Sequence, residues 1–378
     1  MRAPSTRLTF IDALRGIAAM AVVLVHLRDS KHLPDFFSML PNLFGFAISK
    51  GHSGVEVFFV LSGFVIAHSI GRANVDWRYV GQYMLRRLAR LGPPYWAAIG
   101  LGMCRYLLAD HYHPGGSVHI PSLGEILWHV VYLQEIVSVK SIDTVFWTLS
   151  LEIQFYLTFA LLMLLATQLR HKIASLSFSQ TFLMVLTPPL VFASLWPMGL
   201  PPWVWTHGLF TDRWHLFLTG ALVWRALQPD THRTAMAFAW GYMLFLALMS
   251  LWHSNFPLAV GVLTACSIMT CGRLGKLSAW LSNRPLQFLG TVSFSLYLVH
   301  NPTTSLLFGL GYHFTPHTLP WQTAWFVFST TASVLMAWGF YKFVELPSLR
   351  LSRRLGAPKR QPVATFPAGL AGADKHAS

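Results

Sequence analysis

Two ionisable residues in the first apolar stretch of the chain could do chemistry inside a membrane. The stretch from Leu8 to His26 reads LTFIDALRGIAAMAVVLVH, and its only strongly polar residues are Asp12, Arg15 and His26. An ionisable side chain in a bilayer-spanning helix is costly and is therefore a functional candidate. Arg15 and His26 are close to three helical turns apart, so they share one helix face at a separation of roughly 16 Å. Asp12 lies on the same face, within pairing reach of Arg15.

The chemistry open to these residue types is acid–base or nucleophilic catalysis on a phosphorylated substrate. A neutral histidine is a competent general base near pH 7. A nearby carboxylate would orient the ring and stabilise the imidazolium, and Glu152 or Glu56 could serve. Arg86, Arg87 and Arg90 form a basic loop before the third apolar stretch, and arginine binds phosphate groups bidentately. This combination suits a phosphorylated donor whose reactive end reaches a base within the membrane.

The composition places these residues in a membrane protein. Of the 378 residues, 54% are hydrophobic and only 11% are charged, whereas a soluble domain carries about a quarter charged residues. The three cysteines are odd in number and lie in apolar stretches, which supports neither a disulfide framework nor a metal site. The net charge of +14 is explained better by basic residues in short cytoplasmic loops than by binding to nucleic acid.

Apolar runs of about 16–24 residues, the length that a bilayer requires, predict an all-α polytopic protein with about ten transmembrane helices. The predicted spans are 9–27, 54–71, 92–109, 147–167, 181–198, 214–228, 235–252, 256–271, 287–309 and 323–345. The span at 214–228 is short and polar, so we expect it to be buried within the bundle. The stretch Leu123–Val137 is predicted to be an interfacial or re-entrant helix.

The distribution of basic residues predicts the orientation. With both termini cytoplasmic, 21 Lys and Arg residues lie on the cytoplasmic side and 6 on the other side, which is the bias that cytoplasmic loops show. Residues 1–347 then form the membrane domain. Residues 348–378 are predicted to be a basic, disordered cytoplasmic tail.

Further polar residues occur in short motifs at the predicted spans. They are Ser62 in GVEVFFVLSGF, Ser150 and Glu152 in WTLSLEIQFY, and Tyr297 and His300 in SFSLYLVHN. Each residue taken alone has a structural explanation, such as helix capping, contact between helices or interfacial anchoring. The basic loop taken alone is explained as an orientation signal.

Taken together and in this order, the motifs resemble the acyltransferase-3 family of integral membrane acyltransferases over about Leu8 to Pro347. The matching features are Arg15 and His26 with ten residues between them, GVEVFFVLSGF from Gly54 to Phe64, Arg87 and Arg90 followed by Pro94 and Tyr95, the stretch from Trp147 to Tyr156, and the stretch from Ser293 to His300. The chain departs from the family pattern conservatively at Glu56, where aspartate is commoner, at Thr148, which replaces serine, and at Phe294, which replaces tyrosine.

The resemblance implies a membrane-bound O-acyltransferase in the bacterial inner membrane. Such an enzyme transfers an acyl group, often acetyl, from acyl-CoA to a hydroxyl of a carbohydrate or glycosylated acceptor. Acyl-CoA is then a co-substrate, and neither a permanently bound cofactor nor a metal is expected. Some members carry a fused extracytoplasmic domain that completes the transfer. This chain has no room for one, so we expect it to act alone, as a homo-oligomer or with an extracytoplasmic partner.

The resemblance also suggests a role for each candidate residue. His26 and Glu152 are the predicted catalytic residues, and His26 acts either as a general base or as a nucleophile. The predicted donor-binding residues are Arg15, Arg86, Arg87 and Arg90. The predicted supporting or acceptor-binding residues are Asp12, Glu56, Ser62, Ser150, Tyr297 and His300.

Two other functions remain open at the level of the sequence. Ten spans with buried charges also suit a transporter or flippase for an anionic or glycosylated substrate, although no internal symmetry is visible. An acyltransferase would transfer labelled acetyl from acetyl-CoA, whereas a transporter would take up its substrate without covalent change. A third alternative is an inactive sensor, which the presence of Arg15, His26 and Glu152 disfavours.

Overall fold

The structure is a computed structural model that describes residues 7–71, 73–112, 120–173, 175–200, 208–231 and 233–355. The regular elements of these residues are all helical. The α-helices are α1 (Thr9–Asp29), α2 (Pro34–Ser38), α3 (Asn42–Ser49), α4 (Gly54–Ile70), α5 (Trp77–Tyr112), α6 (Leu123–Val130), α7 (Trp147–Lys172), α8 (Phe178–Ala193), α9 (Trp214–Ala226), α10 (Arg233–Trp252), α11 (Phe256–Arg273), α12 (Arg284–Gly311), α13 (Leu319–Phe340) and α14 (Leu346–Arg354). Single 3-10 turns occupy Gly51–Ser53, Phe210–Arg213 and Tyr312–Phe314, and a π-helical turn at Tyr341–Glu345 joins α13 to α14.

The helices confirm an all-α polytopic membrane protein. Each of the predicted spans coincides with a helix, and six helical segments within the described residues are long and apolar enough to cross a membrane. These segments are Thr9–Asp29, Gly51–Ile70, Trp147–Lys172, Arg233–Trp252, Phe256–Arg273 and Leu319–Arg354. With 16 and 13 residues, α8 and α9 are shorter than a bilayer requires. The count of ten spans and the orientation of the termini stay predictions.

Helix α9 is buried along its whole length, as its short and polar sequence predicted. All 13 of its residues are buried. Its close approach to α4 depends on two glycines, because a Cβ atom at Gly63 would overlap the carbonyl of Phe217, and one at Gly220 would overlap the carbonyl of Val60. The two backbones are therefore in direct contact, and α9 fixes the position of the helix that carries Glu56 and Ser62.

Helices α1 and α12 also pack with their backbones in contact. A Cβ atom at Gly16 would lie 2.7 Å from the amide nitrogen of Gly290, and one at Gly290 would overlap the carbonyl of Asp12. The contact point directly follows Arg15 in the sequence. The Arg15–His26 face of α1 is thereby held beside the part of α12 that carries Tyr297 and His300.

The predicted basic loop at Arg86, Arg87 and Arg90 is wrong, because these residues lie inside α5. This helix runs without interruption through Pro93 and Pro94. Arginine and leucine are good helix formers, and a helix at membrane depth tolerates proline when neighbouring groups satisfy the freed backbone atoms. At 36 residues the helix is about 54 Å long. It therefore extends beyond a hydrocarbon core of about 30 Å, with the three arginines in its first half.

The predicted tail and the predicted interfacial helix both differ in their bounds. Residues 346–354 form α14, which packs on α5, where Ser352 Oγ donates to the carbonyl of Arg86 at 2.8 Å. The first residues of the predicted tail are thus helical, and residues 356–378 lie outside the described residues. Helix α6 ends at Val130 rather than Val137 because the chain turns at Tyr132, whose φ is +62°.

The α4–α9 contact generates a test of the packing. Gly63→Ala should destabilise the protein by about 1–3 kcal/mol, since the added methyl group has to push two helix backbones apart. The measurement is the thermal unfolding of detergent-solubilised protein that elutes as a single species. Gly241→Ala on α10 is the matched control, because nothing lies within 4 Å of a Cβ atom there. Equal unfolding temperatures for the two variants would contradict the close packing of α4 and α9.

Candidate active site

An arginine-lined cavity lies between five helices of the bundle. We call it the inner cavity; its empty space, including the part open to solvent, is about 820 Å³, and helices α1, α4, α5, α7 and α12 form its walls. Most of its lining is apolar. Its polar lining consists of Arg15, Ser62, Arg87, Arg90, Thr148, Glu152, Tyr156 and Tyr297. The structure therefore brings together six of the site residues predicted from five separate motifs.

Arg87 is held by two aromatic rings. Its guanidinium lies 5.1 Å from the ring centroid of Tyr83 and 4.9 Å from that of Tyr156. Its Nη2 atom donates to Ser69 Oγ at 2.9 Å. Tyr83 precedes Arg87 by one turn of α5, which is the spacing at which helix side chains meet, and aromatic faces attract a cation. The side chain is thus positioned before any ligand binds.

Glu152 is fixed in the opposite wall of the inner cavity. Its Oε1 atom accepts hydrogen bonds from Ser62 Oγ at 2.9 Å and from the hydroxyl of Tyr156. Tyr156 is one turn further along α7 and also contacts Arg87. Ser62, Glu152, Tyr156 and Arg87 consequently form one network across three helices, and Glu152 partly balances the charge of Arg87.

The second part of the arginine cluster is balanced by Glu345. Arg90 has Arg15 and Arg87 as neighbouring positive charges, and Glu345 is a nearby negative charge. Ser295 Oγ on α12 donates to Glu345 Oε2 at 2.6 Å. The predicted pairing of Asp12 with Arg15 is wrong, because Asp12 Oδ2 binds Arg7 Nε at 2.6 Å. Arg7 precedes the apolar stretch, so the helix spacing within that stretch did not indicate Arg7 as the partner of Asp12.

The arginine end of the inner cavity continues into a second cavity. We call it the basic mouth; its empty space, including the part open to solvent, is about 510 Å³. Its lining residues are Ser69, Tyr79, Tyr83, Arg86, Arg87, Arg90 and Ser352. Because Arg87 and Arg90 line both cavities, the two spaces are adjacent. The predicted donor-binding residues Arg15, Arg86, Arg87 and Arg90 thus line one pair of neighbouring cavities.

Three histidines meet at the other end of the site. The ring centroid of His26 lies 5.2 Å from that of His300 and 5.1 Å from that of His52. We call this group the histidine cluster. His26 does not line the inner cavity, but Tyr297 does, and its ring centroid is 6.2 Å from that of His300. Tyr297 and His300 therefore connect the inner cavity to His26.

The tautomer of His300 follows from its hydrogen bonds. His300 is fully buried, and its Nδ1 atom lies 3.1 Å from the carbonyl of Leu296 and 2.9 Å from that of Tyr297. A carbonyl can only accept, so Nδ1 carries the proton and Nε2 carries the lone pair. Among the described residues Nε2 has no hydrogen-bond partner. A buried lone pair beside His26 is an available proton acceptor.

The carboxylates whose negative charge acts on His26 are Asp143 and Asp29, rather than Glu152 or Glu56. Asp143 is buried, and its Oδ1 atom accepts from Asn301 Nδ2 at 2.9 Å. Its Oδ2 atom has no hydrogen-bond partner among the described residues. Burial raises the pKa of the Asp143 carboxyl, and the Asn301 hydrogen bond and the nearby charge of Arg105 oppose that rise.

The site residues predicted from the sequence do not include Asp143, His52 or Asn301. Asp143 stands four residues before the WTLSLEIQFY motif, and Asn301 is the last residue of the SFSLYLVHN motif, so their positions in or near two motifs were the available signal. Nothing in the sequence indicated a hydrogen bond between Asp143 and Asn301, which are 158 positions apart.

Further contacts are made by the predicted residues Ser150, Tyr297 and Glu56. Ser150 is fully buried and its Oγ atom donates to the carbonyl of Tyr132 at 2.6 Å, which ties α7 to the segment after α6. The Tyr297 hydroxyl lies 2.9 Å from Thr148 Oγ1. Glu56 lies 3.5 Å from Arg213 in an ion pair. Within the described residues no group of three His, Cys, Asp or Glu side chains is arranged to hold a metal ion.

Comparison with known proteins assigns the chain to a family. The family model described as an acyltransferase domain, that of the acyltransferase-3 family, matches residues 8–341. The match covers most of the chain, so the chain belongs to this family of acyltransferases. The histidine cluster and all lining residues of the two arginine-lined cavities except Ser352 lie within the matched region.

Two relatives illustrate the range of the family. The acyltransferase MdmB of Streptomyces mycarofaciens is 32% identical over 156 residues, which is 41% of this chain and 39% of MdmB. The peptidoglycan O-acetyltransferase OatA of Listeria monocytogenes is 25% identical over 384 residues, which covers 89% of this chain and 55% of OatA. The chain thus spans about half the length of these relatives or less. No solved structure matches the chain.

The Glu152 network generates a test of the site geometry. Tyr156→Phe removes a hydroxyl that donates to Glu152, so the carboxylate loses a partner in a poorly hydrated cavity. We expect a loss of about 1–3 kcal/mol in unfolding free energy. Thermal unfolding of the purified variant is the measurement. Tyr341→Phe is the matched control, because its hydroxyl is not part of the network. If both variants unfold at the wild-type temperature, the hydrogen bond to Glu152 is not formed.

Proposed function

We propose that this protein is an integral membrane O-acyltransferase of the bacterial inner membrane, which transfers an acyl group, with acetyl the expected group, from acyl-CoA to a hydroxyl of a carbohydrate or glycosylated acceptor. The observation that carries the proposal is the arrangement of the two arginine-lined cavities, which share Arg87 and Arg90 and lead past Tyr297 to the histidine cluster. Membership of the acyltransferase family supports the reaction class.

The basic mouth is the proposed site for the phosphates of coenzyme A. Its three arginines offer planar, permanently charged donors that match phosphate oxygens. With the predicted orientation, the basic mouth faces the cytoplasm, where acyl-CoA is found. The uncharged arm of the donor would then extend through the mostly apolar inner cavity. The distance from Arg15 to His26 along α1 is roughly 16 Å, which is of the same order as the length of that arm.

His26 is the proposed catalytic residue. As a general base, it takes the proton of the acceptor hydroxyl while the oxygen attacks the thioester carbonyl carbon. The carbon–sulfur bond breaks, and the imidazolium returns the proton to the coenzyme A thiolate. As a nucleophile, it first takes the acyl group as an acyl-imidazole and releases the thiolate, and the acceptor hydroxyl then displaces the imidazole. Both routes yield the ester and coenzyme A.

Asp143 and Glu152 have different proposed roles. Of the two carboxylates whose charge acts on His26, Asp143 has the larger effect and Asp29 the smaller, so Asp143 is the residue proposed to stabilise an imidazolium, as the acidic member of a catalytic triad does. Glu152 is engaged by Ser62 and Tyr156 in the inner cavity. Its proposed role is therefore to balance the charge of Arg87 and to contact the donor arm, rather than to polarise His26.

Substitution of His26 tests the proposed chemistry. His26→Ala should abolish acyl transfer, because neither a base nor a nucleophile remains, and Asp143→Asn should reduce it by about 10²-fold or more. The measurement is transfer of radiolabelled acetyl from acetyl-CoA to the glycan fraction of membranes that contain each variant. The matched control is His171→Ala, at the exposed end of α7. Near-normal transfer by correctly folded His26→Ala protein would overturn the proposal.

Substitution of Arg87 tests the donor site. Arg87→Ala should weaken binding of acetyl-CoA by about 10- to 100-fold, since hydrogen bonds to charged groups contribute about 1.5–3 kcal/mol. Arg87→Lys should recover only part of the affinity, because a lysine cannot bind phosphate bidentately. The dissociation constant is measured on purified protein in detergent. Arg78→Ala is the control, because Arg78 is an exposed residue on the same helix. An unchanged dissociation constant for Arg87→Ala would remove Arg87 from the donor site.

A further inference from the structure

A third cavity lies beside the histidine cluster on the side predicted to be extracytoplasmic. We call it the outer cavity; its empty space, including the part open to solvent, is about 900 Å³. Its walls come from α4, α9, α11, the turn before α9 and the segment after α8. Unlike the inner cavity, it is lined mainly by polar groups. Its polar and aromatic lining consists of Glu56, Trp196, Asp212, Arg213, His215 and Asn255.

The outer cavity is separated from the inner cavity by helix α4. Val55 lines the inner cavity and Glu56 lines the outer cavity, so adjacent residues of one helix face the two spaces. His52 lies one helical turn before Glu56 and is a nearby charge to it. The His52 ring centroid is also 5.1 Å from that of His26, so His52 stands between the wall of the outer cavity and the proposed catalytic residue.

Charged side chains in the wall of the outer cavity are paired and held in place. Glu56 is only 6% exposed and lies 3.5 Å from Arg213, which in turn lies 3.5 Å from Asp212. The turn that carries Asp212 and Arg213 is anchored to α7 by Gln154. The side chain of Gln154 donates to the carbonyl of Gly208 at 2.8 Å and accepts from the amide of Phe210 at 3.3 Å.

Several polar atoms of this wall lack hydrogen-bond partners within the described part of the chain. His215 is only 6% exposed, and its Nδ1 atom has no partner. The same is true of Asp212 Oδ1 and of Thr211 Oγ1 in the adjacent turn. Buried polar atoms are normally hydrogen-bonded. Because His215 and Asp212 line the outer cavity, a ligand with many hydroxyl groups would bring donors and acceptors beside these two side chains.

We propose that the outer cavity binds the saccharide part of the acceptor and presents one hydroxyl to His26 from the extracytoplasmic side. This inference rests on the proposed acyltransferase function and adds the place and the chemistry of acceptor binding. Two carboxylates and one guanidinium can bind neighbouring sugar hydroxyls, and the indole of Trp196 offers an apolar face against which a sugar ring can pack. The near balance of charge favours a neutral saccharide over a polyanion, whereas the arginines of the inner cavity and the basic mouth favour the anionic donor.

The proposal is tested with Asp212→Asn and Trp196→Ala in purified protein. The acceptor probe is the glycan fraction of the native host after mild alkali has removed its esters. We expect each substitution to raise the half-saturating glycan concentration by about tenfold, because each removes a group that would contact the acceptor and not the donor. The dissociation constant for acetyl-CoA should stay at the wild-type value. Trp196→Ala removes a half-buried ring without breaking an ion pair, so it serves if Asp212→Asn fails to fold.

Matched controls and the possible outcomes make the test decisive. Asp110→Asn and Trp252→Ala carry the same chemical changes at the ends of α5 and α10, outside the cavity lining, and should behave as wild type. Wild-type half-saturation in both cavity variants, with an active wild-type enzyme, would overturn the acceptor site and leave the acyltransferase function intact. If the wild-type enzyme itself labels no glycan, the proposed function fails and the acceptor role fails with it.

Discussion

Three arginines line a cavity in the interior of a helical bundle whose other lining residues are mostly apolar. A buried charge is costly unless other groups compensate for it. In this protein the compensation comes from two carboxylates and two tyrosine rings. Glu152 and Glu345 lie near the arginines, and Tyr83 and Tyr156 flank Arg87. These groups belong to different helices, so the charge cluster is stable only when the whole bundle is assembled.

The packing of the bundle depends in turn on helix pairs whose backbones touch. Gly16 and Gly290 let α1 contact α12, and Gly63 and Gly220 let α4 contact α9. Small residues serve this purpose in membranes because close contact between helices has to supply the attraction that the hydrophobic effect supplies in water. The same two contacts fix the helices that carry Arg15, His26 and Glu56. Packing and site geometry therefore depend on the same residues.

The polar residues divide into three regions that follow one another along α1 and α4. Arginines dominate the basic mouth and the inner cavity, histidines and Asp143 form the middle region, and the outer cavity holds acidic, basic and amide side chains. This order matches a reaction in which an anionic donor and an uncharged acceptor reach one histidine from opposite sides. The arginine cluster attracts anions, whereas the outer cavity, which holds both acidic and basic side chains, does not. This difference in charge would keep each substrate out of the other's site.

The sequence by itself determined where most of the long apolar helices lie and which residues share each helix face. The periodicity of an α-helix places Arg15 and His26 on one face wherever the helix lies, and the apolar runs locate most of the helices. The sequence also grouped the arginines of α5 correctly, although it predicted a loop where the structure has a helix. These features are local, so they follow from neighbouring residues alone.

Only the tertiary structure decided which groups meet across helices. It paired Asp12 with Arg7 rather than Arg15, placed Glu152 against Ser62 and Tyr156, and put Asp143 rather than Glu152 near His26. Residue types and spacing limit which acidic and basic side chains can pair, but several carboxylates satisfied that limit equally well. The choice among them depends on the packing of helices far apart in the chain, and helix spacing carries no information about that packing.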